Sequence, residues 1–97
     1  MIERIFDEME KALMINLNDM EKDMFEVFTQ KRMELLKTLQ NETFNSMREL
    51  AEMMNRDIKN VWQDLEILEK NHLIYIQTAG RNKIPHPARR KIIFIFE

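Results

Sequence analysis

Residues 46–73, SMRELAEMMNRDIKNVWQDLEILEKNHL, decide the fold because they contain two helix signals separated by a short corner. Ser46, with a glutamate three residues later, forms a capping box that predicts the start of the first helix. Asn55 tolerates the left-handed conformation that ends a helix, and Asp57 can cap a second helix over residues 57–70. Two short helices joined in this way are the layout of a helix-turn-helix, which makes double-stranded DNA the leading candidate partner.

The second predicted helix has an apolar face and a polar face. Its apolar residues recur at helical spacing and predict a buried face: Ile58, Val61, Leu65 and Leu68. Lys59, Asn60 and Gln63 lie on the other side, and side chains of these types can pair with phosphates and base edges. Taken alone, they are more typical of an ordinary solvated helix face. Trp62 is interpreted either as a partly buried edge residue or as an apolar contact to a thymine methyl group.

Size and composition exclude several classes of protein. With 97 residues the chain supports one domain with a modest core, to which a second copy would add buried surface. Cysteine is absent, and His72 and His86 have no clustered ligands, so neither a metal nor another cofactor is indicated. No apolar run approaches the ~20 residues that cross a bilayer, and the acidic start is unlike a signal peptide, which predicts a cytoplasmic protein without a membrane partner. The absence of a Gly-rich phosphate loop and of a paired acid and base argues against an enzyme.

The net charge of −2 is unevenly distributed. Residues 1–55 hold 7 Lys/Arg against 12 Asp/Glu, which gives −5, whereas residues 56–97 hold 8 against 5, which gives +3. No acidic residue occurs over residues 71–96, so a footprint on phosphate is expected there. The alternative is a solvated basic hairpin. The basic residues of this segment are Arg81, Lys83, Arg89, Arg90 and Lys91.

The remaining periodicities complete a predicted fold. Residues 1–24 are predicted to be a helical extension and residues 25–97 a winged helix-turn-helix domain, in which the wing is a basic β-hairpin over residues 78–91. The predicted fold class is therefore mainly α with a small β-hairpin, a winged helix-turn-helix with an added N-terminal amphipathic helix. In this arrangement helix 57–70 would lie in the major groove and the wing on the backbone or in the minor groove.

The final strand, KIIFIF, is apolar on both faces, which predicts a cover for its second face. The amphipathic helix predicted over residues 1–14 is the candidate, from the same chain or from a second copy. We favour a two-fold homodimer. The candidate dimerisation residues share the apolar face of this helix: Ile2, Ile5, Phe6, Met9 and Leu13.

From about Phe25 onward the chain resembles a family of small prokaryotic transcriptional regulators with a MarR-like winged helix-turn-helix domain. The most specific segment, NRDIKNVWQDLEILEKNHLI over residues 55–74, is similar to that family's typical GRDYKNVHRDVKALEELGLIE. The resemblance covers roughly three quarters of the chain, residues 25–97, and implies sequence-specific DNA binding. Because some such proteins are thought to be encoded beside toxin-like partners, an antitoxin or autoregulator role stays open.

The sequence departs from the family pattern at several positions. Asn55 and His72 stand where the family has glycine, and both residue types are enriched at positive φ, so the two turns should survive. Trp62 and Gln63 stand where the family shows His and Arg. Gln can still pair with adenine, so the base preference is expected to differ from that of relatives.

Two functions follow from these observations. The first is a dimeric DNA-binding regulator in which Lys59, Asn60, Gln63 and Trp62 face the bases. The residues expected to contact the DNA backbone are Ser46, Arg48, Arg56, Arg81, Lys83, Arg89 and Arg90. The second is a protein-protein interaction module, for which the acidic residues of the second helix argue.

Overall fold

The computed structural model describes residues 12–96. This part of the chain contains four helices and four strands, and no helix in it is long and apolar enough to span a bilayer. In chain order the elements are β1 (Ala12–Asn16), α1 (Lys22–Val27), α2 (Gln30–Asn41), α3 (Met47–Met53), α4 (Ile58–Lys70), β2 (Ile74–Ala79), β3 (Asn82–Pro87) and β4 (Lys91–Ile95).

The predicted fold class, a mainly α winged helix-turn-helix with one hairpin and an added N-terminal helix, is wrong. The described strands form two separate sheets: β2 pairs with β3 antiparallel, and β1 pairs with β4 parallel. The last three residues of the helix predicted over residues 1–14 belong to β1, and the first eleven lie outside the described residues. The fold is therefore an α and β arrangement with two small sheets.

The pairing of β1 with β4 explains why strand replaces helix at residues 12–16. Leu13 lies opposite Ile92 and Ile15 opposite Phe94, so apolar side chains meet across the ladder. Leu13 and Ile92 also pack against the main core. Cross-strand packing of this kind outweighs the helical periodicity of the sequence, which extends only as far as residue 14.

The two helices of the opening stretch begin and end as the sequence predicts. The Ser46 hydroxyl accepts the Glu49 N–H at 3.1 Å, and the Asp57 carboxylate accepts the Lys59 N–H at 2.8 Å. Asn55 has a φ of 52° and His72 a φ of 61°, the left-handed values expected from their place in the sequence. Residues 54–57 therefore form the corner between α3 and α4.

Each left-handed residue ends its helix in the same way. After α3, the Arg56 N–H donates to the Ala51 carbonyl at 3.0 Å, five residues back. After α4, the Leu73 N–H donates to the Leu68 carbonyl at 3.0 Å. These are the 6→1 bonds of Schellman motifs, which use otherwise unpaired carbonyls at a helix end.

The main core lies between α2, α3, α4 and the base of the β2–β3 hairpin. Leu35, Leu50 and Leu65 are fully buried, one from each of the three helices. Leu68 and Val61 are also fully buried, as predicted, but Ile58 at the start of the same apolar stripe is 42% exposed. The first turn of α4 therefore projects beyond the core.

The β2–β3 hairpin turns at Gly80. Ala79 lies opposite Asn82, which leaves a two-residue loop whose first residue, Gly80, has a φ of 64°. Glycine is favoured at that position of a two-residue hairpin loop because a side chain there would be strained. β3 contains Pro85 and Pro87 and has β2 as its strand neighbour, and an edge position of this kind tolerates proline.

Replacement of Leu65 by alanine tests the position of the core. Because Leu65 is fully buried, Leu65→Ala should lower the free energy of unfolding by about 2–5 kcal/mol in urea titrations. Ile58→Ala in the same helix is the matched control, since Ile58 is 42% exposed and should lose well under half as much. Equal losses in the two variants would show that the packing of α4 is incorrectly assigned.

Candidate nucleic-acid interface

The first two turns of α4 present polar side chains to solvent. Lys59, Asn60 and Gln63 are all exposed, while Val61 between them is fully buried. Asp57 accepts a backbone N–H at the start of the helix, so one of its carboxylate oxygens is used in capping. The structure thus brings together the three residues that the sequence assigned to base contacts.

Trp62 has a different environment from these three residues. It is half-buried and packs against the main core. This agrees with the interpretation of Trp62 as a partly buried edge residue. Its position limits any contribution to a surface to the exposed part of the ring.

Asp64 lies between two arginines and is 9% exposed. Its Oδ1 accepts the Arg32 Nε–H at 3.0 Å and its Oδ2 accepts an Arg56 Nη2–H at 2.7 Å. Arg32 also donates from Nη1 to the Glu26 carbonyl at 2.8 Å. The three side chains together carry one net positive charge, so Asp64 does not add negative charge to the exposed face of α4.

This cluster changes the expected role of Arg56. Its side chain is 13% exposed, and its Nη1 is buried without a hydrogen-bond partner among the described residues. Because this guanidinium is paired with Asp64 and largely buried, little of its surface is accessible to a phosphate. The geometry assigns Arg56 to holding the corner against α4, in contrast to the backbone contact expected from the sequence.

A shallow depression of about 440 Å³ joins the N-terminus of α2 to the exposed face of α4. Gln30 and Lys31 line it from α2, and Asn60 and Gln63 line it from α4. Sequence analysis did not assign Gln30 or Lys31 to the site. No local signal could have done so, because they are about thirty residues from α4 and only the tertiary packing brings them to it.

Ser46 and Arg48 lie at the start of α3. The Ser46 hydroxyl accepts the Glu49 N–H and so caps the helix. The Glu49 carboxylate in turn accepts the Asn45 N–H at 3.1 Å. Arg48 is exposed. Arg48 is therefore the residue of the two that can contact a phosphate through a charged, exposed group.

The basic residues of the segment 78–91 form two groups. Arg81 and Lys83 are exposed at the tip of the hairpin, beside Gly80. Arg89 and Arg90 follow β3 at the base, where the Arg89 Nε–H donates to the His72 carbonyl at 3.4 Å. The tip and the base are separated by the length of β3, about 17 Å. A single continuous basic patch is therefore not formed.

The candidate dimerisation residues cannot all be placed. Ile2, Ile5, Phe6 and Met9 lie outside the described residues. Leu13 belongs to β1, is half-buried and packs against the main core of its own chain.

The described part of the chain contains no group of three or more His, Cys, Asp or Glu side chains placed to hold a metal ion. A cavity of about 840 Å³ lies between β1, α1 and the C-terminal end of α4. Apolar side chains such as Leu13 and Phe28 line this cavity. It is separate from the polar face formed by Lys59, Asn60 and Gln63.

The chain is a small α and β protein in which the first two turns of α4 expose polar side chains and the β2–β3 hairpin carries basic residues. Residues 27–92 match the HVO_A0114 family. Since the match covers about two thirds of the chain, the chain belongs to this family. No curated protein matches the chain significantly. The name of the family states no activity, so the resemblance to MarR-like regulators stays a prediction.

Removal of the Asp64 carboxylate tests the arginine cluster. Asp64→Ala leaves two adjacent, largely buried guanidinium groups without their counter-charge and should lower the free energy of unfolding by about 3 kcal/mol. Glu66→Ala, on an exposed position of the same helix, should change it by about 0.5 kcal/mol or less. Indistinguishable urea midpoints for the two variants would remove the cluster as a structural determinant.

Proposed function

We propose that this protein is a dimeric, sequence-specific DNA-binding transcriptional regulator in which the N-terminal half of α4 contacts bases. The observation that carries this proposal is the projection of the first two turns of α4. Val61, Leu65 and Leu68 anchor the helix in the core, while Lys59, Asn60 and Gln63 face solvent. Amide and ammonium groups held on a rigid helix match the donors and acceptors of the major groove, where Gln or Asn pairs with adenine and Lys with guanine.

The distribution of charge along α4 supports the same orientation. Glu66 and Glu69, which are exposed, lie in the C-terminal half of the helix. Glu66 is about 10 Å along the axis from Lys59. Asp64 is neutralised by the two arginines, and Asp57 caps the helix. Glu66 is the acid of the C-terminal half nearest to the three polar side chains, about 4.5 Å along the axis from Gln63. A DNA duplex that meets the N-terminal half therefore avoids most of the acidic residues of α4.

Affinity in this proposal comes from cations outside the base-contacting face. Arg48 on α3, Lys31 on α2 and the hairpin tip residues Arg81 and Lys83 are exposed. Arg89 and Arg90 at the hairpin base form a further group. Each contact to a phosphate releases a counterion, so binding should weaken as salt rises. With few cations per chain and a net charge of −2, a second copy is needed for tight binding.

A protein-protein interaction module, including an antitoxin-like binder, is the second candidate. The exposed apolar side chains of Met53 and Ile58, 45% and 42% exposed, lie on either side of the corner and favour it. Such a partner would cover the same face of α4 as DNA. Selection of bound sequences from a random duplex pool distinguishes the two functions, because an interaction module enriches no sequence.

Lys59→Ala tests the contact between α4 and DNA. On a duplex obtained by that selection, the variant should bind more weakly by roughly 1–3 kcal/mol, because a base contact is lost. Lys70→Ala is the matched control, since Lys70 is exposed on the same helix about 16 Å away and should leave the affinity unchanged. Fluorescence anisotropy measures both affinities. Equal affinities for the wild type and Lys59→Ala would exclude Lys59 from the interface.

Gln63→Ala tests whether α4 contributes base specificity. The variant should lose roughly 1–3 kcal/mol of discrimination at one base position while its binding to non-specific duplex stays the same. Gln77→Ala, at an exposed position of β2, is the control. Repeating the selection with each variant gives the measurement. An unchanged preference at every position with Gln63→Ala would contradict the proposed orientation of α4.

A further inference from the structure

β4 is apolar on both faces and has a single strand neighbour, β1, among the described residues. Several of its side chains and the residue that follows are exposed: Ile93 by 39%, Phe94 by 39% and Phe96 by 79%. A two-stranded parallel sheet is marginal by itself, and parallel strands normally occur where both faces are covered. Among residues 12–96, the second edge of β4 therefore has no partner strand.

The hydrogen bonds to β1 determine which groups point to that free edge. The Leu17 N–H donates to the Ile95 carbonyl at 2.8 Å, so Ile95 directs its backbone groups towards β1. In a parallel ladder the residues that do so alternate along the strand. The backbone N–H and carbonyl groups of Ile92, Phe94 and Phe96 consequently point away from β1.

These outward groups match an antiparallel pairing of β4 with itself. A two-fold axis at Phe94 places Phe94 opposite the partner's Phe94 and Ile92 opposite the partner's Phe96. Both are hydrogen-bonded pairs, which use the outward groups. Ile93 then lies opposite the partner's Ile95 in the non-hydrogen-bonded pair between them. Each of these three kinds of pair is apolar.

Lys91, the charged residue at the start of β4, supports this register. An axis at Ile93 would place Lys91 opposite the partner's Ile95, whereas the axis at Phe94 keeps Lys91 outside the apolar pairs.

We infer that β4 pairs antiparallel with β4 of a second copy of this chain, centred on Phe94, to give a four-stranded sheet in the order β1-β4-β4-β1. A second copy is the occupant because, in this register, the outward backbone groups of β4 pair with one another and its apolar side chains lie opposite apolar side chains. The inference does not rest on DNA binding. It also differs from a dimer formed by the apolar face of residues 1–14, because the contact lies at the edge of a strand.

Engineered cysteines test the register, since the natural chain has none. In this register Ile93 and the partner's Ile95 have Cα atoms about 4.5 Å apart, within the range of a disulfide. The double variant Ile93→Cys/Ile95→Cys should therefore form a covalent dimer on mild oxidation. Each single variant should not, because a cysteine then lies diagonally from its copy at about 7–8 Å. Cross-linking of a single variant would establish a shifted register, and no cross-linking of the double variant would overturn the inference.

A charge placed in the strand pair tests the same contact in solution without DNA. Ile93→Lys places a charge in each of two apolar pairs and should weaken self-association roughly tenfold in sedimentation equilibrium. Ile58→Lys makes the same change at a similarly exposed position of α4 and should have no effect. A wild-type chain that stays monomeric at high concentration would overturn the inference and the dimer of the proposed function, whereas DNA contact by α4 is tested separately by Lys59→Ala.

Discussion

The carboxylate of Asp64 is the point on which the arrangement of the helices depends. Its two oxygens bind Arg32 of α2 and Arg56 of the corner at 3.0 and 2.7 Å, and Arg32 in turn holds the carbonyl of Glu26 in α1. A largely buried charge is tolerated only where its partners are fixed, so these contacts determine how α1, α2 and the corner meet α4. The same contacts fix the orientation of α4. Gln63, the residue before Asp64 in this helix, is exposed. The structural contact and the proposed interface are thus one residue apart.

Both helices around the corner end without glycine. Asn55 and His72 adopt left-handed conformations and complete Schellman motifs. The change of chain direction at each helix end requires a residue with positive φ. Asparagine and histidine adopt this conformation at a modest cost in free energy. Asn55 and His72 therefore form the corner and the exit from α4 without glycine.

Local features of the structure could be predicted from the sequence, whereas long-range pairings could not. The cap at Ser46, the turn at Gly80 and the buried positions Leu65 and Leu68 each follow from a few neighbouring residues. β1 does not, because its partner β4 is almost eighty residues away and the pattern of residues 1–14 is also helical. The same limit applies to Arg32, whose ion pair with Asp64 gives no periodic signal. The exposed residues of α4 were predicted correctly, but the internal use of Arg56 was not.

DNA binding through α4 and pairing of β4 between two copies place different requirements on the same chain. A protein with a net charge of −2 has little general attraction for DNA, so contacts must come from a few exposed cations on α2, α3 and the hairpin. Two copies joined by a fixed strand pair would double that number and would hold the two α4 helices at one separation. Half-site spacing on DNA is a geometric property of a dimer. A contact through β4 would therefore set the spacing, while Lys59, Asn60 and Gln63 would set the bases within each half-site.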